Sequence, residues 1–465
     1  MSQPGTVENP LRVAVIGAGP AGFYTAEHLF KHKGSTVLVD MYERLPTPFG
    51  LVRGGVAPDH QKIKSVTKLY DRIAGRPEFR FFGNVEFGKD VTIEDLRRYY
   101  HQIVYTVGAQ TDRRLNIEGI DAKRSHAATE FVAWYNGHPD YRDLEFDLSQ
   151  EKVAVIGVGN VAMDVARILA RTPEELAVTD IADHALEALR ESQVKEIYIL
   201  GRRGPLQAAF TAPEVKELGE LADADALVKA SEAMLDPLSK EDFADADKAT
   251  VRKMNEIDGL VGKKPTEKSR KLTLRFLVSP TEVLVDESGG VSGLKLMKNE
   301  LYRNDVGNLR PRATGEEEML DVGLIFRSIG YHGVPLPGVP FDERKGVICN
   351  DRGRVVDAET RERVVGEYTA GWIKRGPSGV IGTNKSDAGE TVDVMYEDIV
   401  NGAWNEPEDS SVAGAVALVK ERQPRYVSYD DWLRLDALEI AAGDEQGRPR
   451  VKFTSVEEML TALGK

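Results

Sequence analysis

Two stretches of the chain pass in the same way from an apolar run to a glycine and then to a helix-forming segment. They are Arg12-Val13-Ala14-Val15-Ile16-Gly17 and Lys152-Val153-Ala154-Val155-Ile156-Gly157. An unbroken run of this length, rich in β-branched residues and closing on glycine, predicts a buried strand. Helical patterning follows over residues 21–33 and 161–171. Two such βα units predict two doubly wound α/β, Rossmann-like domains, each built on a parallel sheet. Further apolar strands are predicted over 36–42 and 197–200, and later ones over 102–108 and 322–330, each ending in glycine. The late strands set boundaries near 110 and 330. One domain then comprises residues 1–110 and 331–465, and a second domain, 111–330, is inserted in it. Residues 172–191 lengthen the second crossover with helix-like stretches, and 216–256 and 403–465 read as helical and charged.

The glycines carry the first chemistry. In Gly17-Ala18-Gly19-Pro20-Ala21-Gly22 the first glycine permits a tight turn and the second lets the backbone approach a pyrophosphate. The third, Gly22, allows close packing of helix on strand, and the helix start offers unpaired N–H groups to an anion. Glu43 closes the next strand, where a carboxylate accepts from a ribose 2′-hydroxyl. This site suits an adenosine dinucleotide with a free ribose, FAD or NAD. The second motif is Gly157-Val158-Gly159-Asn160-Val161-Ala162, and its next strand ends in Gly201-Arg202-Arg203-Gly204. Two guanidiniums in place of the acid suit a 2′-phosphate through charge-assisted hydrogen bonds, so the second site prefers NADP(H). Two sites of different ribose preference are explained by a resident flavin and a diffusing nicotinamide that exchanges hydride with it.

Composition narrows the alternatives. Lys plus Arg number 61 against 75 Asp plus Glu, a net charge of −14, which argues against a general nucleic-acid binder. Against that balance, residues 252–275 hold Arg252, Lys253, Lys263, Lys264, Lys268, Arg270, Lys271 and Arg275 and only Glu256, Asp258 and Glu267. This stretch is expected to form part of a basic face that steers an acidic partner. Cys349 is the only cysteine, so no internal disulfide, Cys-x-x-Cys pair or cysteine-ligated cluster can form. His28 and His32 stand one helical turn apart without a third ligand, and no metal site is expected. No signal-peptide core and no run of about 20 apolar residues is present, so a cytoplasmic protein without membrane insertion is expected.

Longer strings carry a family resemblance. Pro48-Phe49-Gly50-Leu51-Val52-Arg53, Val56-Ala57-Pro58-Asp59-His60, the segment 159–167, Gly201-Arg202-Arg203-Gly204-Pro205-Leu206-Gln207, Gly371-Trp372 and residues 376–388 together resemble the adrenodoxin reductase-type ferredoxin–NADP reductases, bacterial relatives included. The matches run from about residue 12 to 390. The resemblance implies FAD in the split domain and NADP in the inserted one. By matching position it implies FAD contacts at Ala21, Glu43, Leu51, Phe87, Trp372, Gly379, Val380 and Ile381, with Phe87 contributing its main chain. It implies NADP contacts at Val158, Gly159, Asn160, Val161, Arg202, Arg203, Glu214 and Gly379. His60 and Asp164 are implied to lie near the flavin and to assist proton movement and positioning. A histidine of near-neutral pKa suits that exchange, although hydride transfer itself needs no side-chain catalyst.

The expected activity is electron transfer between NADPH and an acidic iron–sulfur ferredoxin through FAD, hydride in and single electrons out. The alternatives are an NADPH oxidase, diaphorase or monooxygenase of the same fold, and a flavoprotein that only senses NADP(H). The single cysteine favours the first: without a dithiol the flavin itself must meet the acceptor.

Overall fold

A strand buried on both faces needs an apolar residue at every position, because successive side chains point to opposite layers. Residues 13–16 of the strand Leu11–Ile16 meet that demand, and the buried Arg12 is the one exception in the strand. Val13 and Val15 enter a layer with Phe23, Phe49 and Tyr70, while Ala14 and Ile16 enter another with Tyr42, Tyr100 and Tyr105. In Lys152–Ile156, Val153 and Val155 face Phe131, Trp134 and Met163, while Ala154 and Ile156 face Leu294 and Leu296.

The computed structural model describes residues 3–465, which part into two units. The first takes residues up to Val56, His60–Thr111 and Tyr331–Lys465, and the second takes Ala57–Asp59 and Asp112–Gly330. The first unit holds a seven-stranded sheet in the order Asn350–Asp351, Arg354–Val356, Arg363–Thr369, Gln102–Tyr105, Leu11–Ile16, Val37–Glu43, Phe79–Gly83. From Arg363–Thr369 onward its strands run parallel. The second unit holds a six-stranded parallel sheet in the order Ser125–Ala127, Leu324–Arg327, Lys152–Ile156, Glu196–Leu200, Arg270–Arg275, Ala224–Val228. In each sheet the strand before the glycine motif lies between a strand that follows it directly and one reached much later. That is the switch point where α/β sheets open a crevice beyond the strand ends.

The elements differ from the sequence reading in two places. Residues 216–256 are not all helical: Ala224–Val228 forms the edge strand of the second sheet, a short run in which Asp225 masks the pattern. A separate antiparallel sheet of Val278–Val285, Val291–Arg303 and Leu309–Leu320 had no counterpart in the expectations. Its charged strands are wet on one face, and only Val283, Leu294, Leu296 and Leu320 with a few neighbours are buried. The crossover 172–191 holds helices Pro173–Ala177 and Asp183–Arg190. The C-terminal region holds helices Val412–Arg422, Tyr429–Gln446 and Val456–Leu463, and Trp432, Leu435, Met459 and Leu460 bury themselves in the core of the first unit. Among the described residues no helix is long and apolar enough to cross a membrane.

Beneath the first sheet lies a buried polar network. Arg12 and Tyr100 both donate to Asp40 Oδ2, at 2.8 and 2.6 Å, and Arg80 pairs with Oδ1. The Arg12 N–H donates to His101 Nδ1 at 3.0 Å, and burial together with the Arg12 charge lowers the His101 pKa to about 4. His126 in the second unit is also lowered to about 4, by burial and Arg327. A folded pKa below the unfolded ~6.5 means that the stabilisation is complete above pH 6.5 and is lost as pH falls toward 4. At pH 5 each histidine is expected to have cost on the order of 1–2 kcal/mol of stability. The unfolding temperature should therefore fall between pH 7 and pH 5, and His101→Asn, which keeps an acceptor, should flatten that slope. An unchanged slope in the variant would remove His101 from the account.

Candidate functional site

Each glycine motif sits in the switch-point crevice of its own sheet, and the two are alike down to single hydrogen bonds. Gly17 N–H donates to the Tyr42 carbonyl at 2.8 Å and Gly157 N–H to that of Leu200 at 2.9 Å. Thr106 N–H reaches Ile16 O, and Ser328 N–H reaches Ile156 O, both at 2.8 Å. Gly17 has φ +103°, and a Cβ there would lie 2.8 Å from Thr106 O; Gly157 has φ +136°, and a Cβ would lie 2.0 Å from Ser328 O. The fold itself requires glycine at both positions. The second glycines are different. Gly19 (φ −84°) and Gly159 (φ −104°) have ordinary backbones, and a Cβ on either would meet no atom within 4 Å. No packing in the protein asks for glycine there, but open space at the helix start does. The helices Pro20–Lys31 and Asn160–Ala170 begin at these residues without a side-chain cap or an acid in the first turn. Their first N–H groups are free for an anion. Both cradles therefore fit a dinucleotide pyrophosphate.

In the first unit the rim of the cradle comes from three segments. Glu43 Oε2 accepts the Ala18 N–H at 3.0 Å and Oε1 accepts that of Leu45 at 3.2 Å. Burial pushes this carboxyl up, and the two backbone donors pull it back only in part. Phe49, at φ +83°, donates its N–H to Ala18 O and packs its ring among Phe23, Tyr70 and Trp432. That turn lays Gly50 against Gly19, where an added Cβ would stand 3.0 Å from the Gly19 Cα, and it delivers Leu51 beside the cradle. Gly371, at φ +80°, approaches Ala21 so closely that a Cβ would lie 2.5 Å from the alanine's own, and its N–H is held by Asp387 at 2.5 Å. Trp372 follows, its indole donating to Ser378 O at 3.2 Å and its ring 5.2 Å from that of Tyr331. Gly379 and Val380 are exposed and Ile381 half-buried, in the loop that opens the long helix Thr383–Val400. Phe87 differs from these: its ring is packed in the core 5.7 Å from Tyr105, which leaves only its backbone for a ligand. Arg375, which the sequence reading missed, keeps a buried Nε and Nη1 without a hydrogen-bond acceptor among the described residues.

In the second unit the chain folds back over its cradle. Val158 O accepts from Ala209 N–H at 2.8 Å and Phe210 N–H at 3.1 Å. Asn160 Oδ1 accepts from Thr211 N–H at 3.1 Å, and the Thr211 hydroxyl donates to the buried Glu214 carboxylate. Val161 packs against the core while Ala162, fully buried, takes the place of the third glycine. Arg202 is exposed and Arg203 half-buried, and neither has a carboxylate partner among the described residues. The Arg203 pKa is lowered by burial and then by its guanidinium neighbours, Arg202 and Arg310. An uncompensated positive site at this strand end suits a phosphate dianion.

Of the two residues expected to move or position protons, His60 belongs to the first unit and Asp164 to the second. His60 precedes the short helix Gln61–Lys64 and accepts the Ile63 and Lys64 N–H groups at its carbonyl. Asp164 accepts from Arg167 Nη2 at 2.7 Å, and the same buried guanidinium holds Asp59 through Nε at 2.6 Å and Nη2 at 3.0 Å. Arg171 adds a contact to Asp59 at 2.8 Å. Asp164 is therefore a member of an ion cluster built on Arg167, which sequence spacing alone does not reveal.

The basic stretch divides between internally bonded and exposed cations. Lys253 is buried against the carbonyls of Leu206 and Ala208, and Lys268 is tied to Leu221 O. Arg270 donates to Val194 O, and Arg275 is sandwiched between Glu232 and Glu318. Half of the eight cations thus serve internal bonds, and Arg252, Lys263, Lys264 and Lys271 are left exposed. His28 bonds the Lys385 carbonyl at 3.0 Å, and His32 stacks on Tyr396. Cys349 is buried, which raises its thiol pKa.

Comparison with known proteins decides the family. Residues 11–199 match the model of the pyridine nucleotide-disulphide oxidoreductases. NADPH-ferredoxin reductase FprA of Mycobacterium tuberculosis is 45% identical across 97% of this chain and 98% of its own. The chain belongs to the adrenodoxin reductase-type ferredoxin–NADP reductase family. A plant member, the mitochondrial NADPH:adrenodoxin oxidoreductase of Arabidopsis thaliana, is 41% identical over 97% of this chain and 95% of its own. The solved structure of Mycobacterium tuberculosis FprA in complex with NADPH superposes with a TM-score of 0.92 at 43% identity, covering 98% of this chain and all of that one. The family's two Rossmann-like domains are thus the fold of this chain.

Proposed function

We propose that the chain is an FAD-containing NADPH–ferredoxin oxidoreductase working in the cytoplasm, where NADPH is at hand. The observation that carries the reading is the pair of open glycine cradles with opposite ribose ends, Glu43 at one and Arg202-Arg203 at the other. Relatives of 41–45% identity that act on NADPH with ferredoxin or adrenodoxin support it. FAD, when bound, supplies two-electron uptake from NADPH and one-electron release to an iron–sulfur protein.

Gly17, Gly19 and Gly22 leave room for the flavin pyrophosphate at the start of helix Pro20–Lys31. Glu43, with lone pairs left over from Ala18 and Leu45, accepts from the adenosine ribose. Ala21, Leu51, Trp372, Gly379, Val380, Ile381 and the Phe87 backbone line the rest. In the second unit Gly157, Val158, Gly159, Asn160 and Val161 hold the NADPH pyrophosphate, Arg202 and Arg203 its 2′-phosphate, and Glu214 fixes Asn160 through Thr211. His60 exchanges the proton that accompanies reduction, and Asp164, already held by Arg167, is a positioning residue. The four exposed cations of 252–275 face an acidic ferredoxin.

Purification tests the reading directly. The protein should be yellow, release FAD on denaturation, bleach with NADPH under anaerobic conditions and recover colour on adding ferredoxin. Recovery with oxygen as fast as with ferredoxin would make it an oxidase, and no recovery with any acceptor would make it a sensor. His60→Gln is expected to lower ferredoxin-coupled turnover about tenfold. Unchanged turnover would leave His60 a structural residue of its loop.

A further inference from the structure

The hairpin of Val291–Arg303 and Leu309–Leu320 is locked in register onto the arginine turn of the second unit. Asn299 Nδ2 donates to the Arg202 carbonyl at 2.9 Å and to Ser279 Oγ at 2.8 Å. Asn299 N–H reaches Leu277 O at 2.7 Å, and Leu277 N–H reaches the Arg203 carbonyl at 3.1 Å. Across the hairpin Tyr302 pairs with Arg310, so the anchoring at Asn299 fixes where Arg310 emerges. It emerges into a cavity of about 370 Å³ that it lines with Arg203, Gln207, Asp242 and Asn308.

The charge in that cavity is unbalanced. Its one carboxylate, Asp242, is taken by Arg303 at 2.8 Å. Among the described residues no carboxylate pairs with Arg202, Arg203 or Arg310. Arg310 is close enough to Arg203 to help lower its pKa. Three like charges gathered at the end of one strand are favourable only around a multiply charged anion.

We propose that Arg310 is a third ligand of the NADPH 2′-phosphate, reaching from the hairpin to share it with Arg202 and Arg203. This rests on the NADPH reading above and extends it: selection for the 2′-phosphorylated cofactor is set by two separate segments. The hairpin, which contributes nothing to the pyrophosphate cradle, then acts as a specificity element.

Calorimetric titration of the holoenzyme with 2′,5′-ADP and with 5′-AMP tests this without relying on turnover. Arg310→Ala is expected to weaken 2′,5′-ADP binding by about tenfold and to leave 5′-AMP binding and FAD content unchanged. Arg310→Lys should restore part of the loss, and the KM for NADPH should rise while that for NADH stays level. Arg310 is exposed, so the unfolding temperature serves as the control for folding. If Arg310→Ala binds 2′,5′-ADP as tightly as the parent while Arg202→Ala/Arg203→Ala does not, Arg310 is no ligand and the NADPH reading stands. If the double variant also keeps its preference for 2′,5′-ADP over 5′-AMP, the NADPH reading falls as well.

Discussion

Replacing Arg202 and Arg203 together by alanine is expected to raise the KM for NADPH by a factor of about 10² to 10⁴ while leaving that for NADH within about threefold. A hydrogen bond to a charged group contributes ~1.5–3 kcal/mol, and two such bonds to one dianion are lost at once. The loss cannot come from damage to the fold. Arg202 is exposed, Arg203 donates only to Gln207 O at 3.3 Å, and the backbone of the turn is held independently by Asn299 and Leu277. Removing mutually repelling charges should if anything relieve the free protein, since burial and the neighbouring cations already lower the Arg203 pKa. Steady-state kinetics with both nucleotides decides it: an equal rise in the two KM values would mean that the turn does not read the 2′-phosphate.

The doubly wound frame was legible because its central strands are buried on both faces. Val13 to Ile16 and Val153 to Ile156 permit no other placement of an unbroken apolar run. Local chemistry also distinguishes the ends of the two following strands, an acid at Glu43 and two guanidiniums at Arg202-Arg203, and the proposed ribose preferences rest on that difference. What the sequence concealed depends on partners far away in the chain. Lys253 and Arg275 look like surface cations until Leu206 O and Glu232 are seen beside them. Asp164 gives no sign in the sequence of the Arg167 guanidinium that binds it together with Asp59. The hairpin that brings Arg310 to the arginine turn carries five charged residues and few buried ones along Leu309–Leu320, which hid its strands and with them the proposed ligand.

Gly159→Asp and Gly157→Ala, neighbours in one motif, are expected to fail in opposite ways. At Gly157 the backbone is at φ +136° and the new Cβ would press within 2.0 Å of the Ser328 carbonyl, so Gly157→Ala strains the crossing of two central strands. Backbone strain of that kind costs on the order of 1–3 kcal/mol before the clash is counted, and the unfolding temperature should drop by several degrees. At Gly159 the backbone is extended, an added Cβ meets nothing, and the residue is the uncapped N-cap of helix Asn160–Ala170. Aspartate there is a good cap, its charge favoured by the helix dipole, so the unfolding temperature of Gly159→Asp should hold or rise. The same carboxylate would occupy the space and the N–H groups assigned to the pyrophosphate, and its charge would repel that anion. NADPH affinity in Gly159→Asp is therefore expected to fall by more than about a hundredfold with FAD retained. Thermal unfolding and fluorescence titration with NADPH on the same preparations separate the two effects. Tight NADPH binding by a stable Gly159→Asp would show that the open space beside Gly159 is not where the pyrophosphate lies.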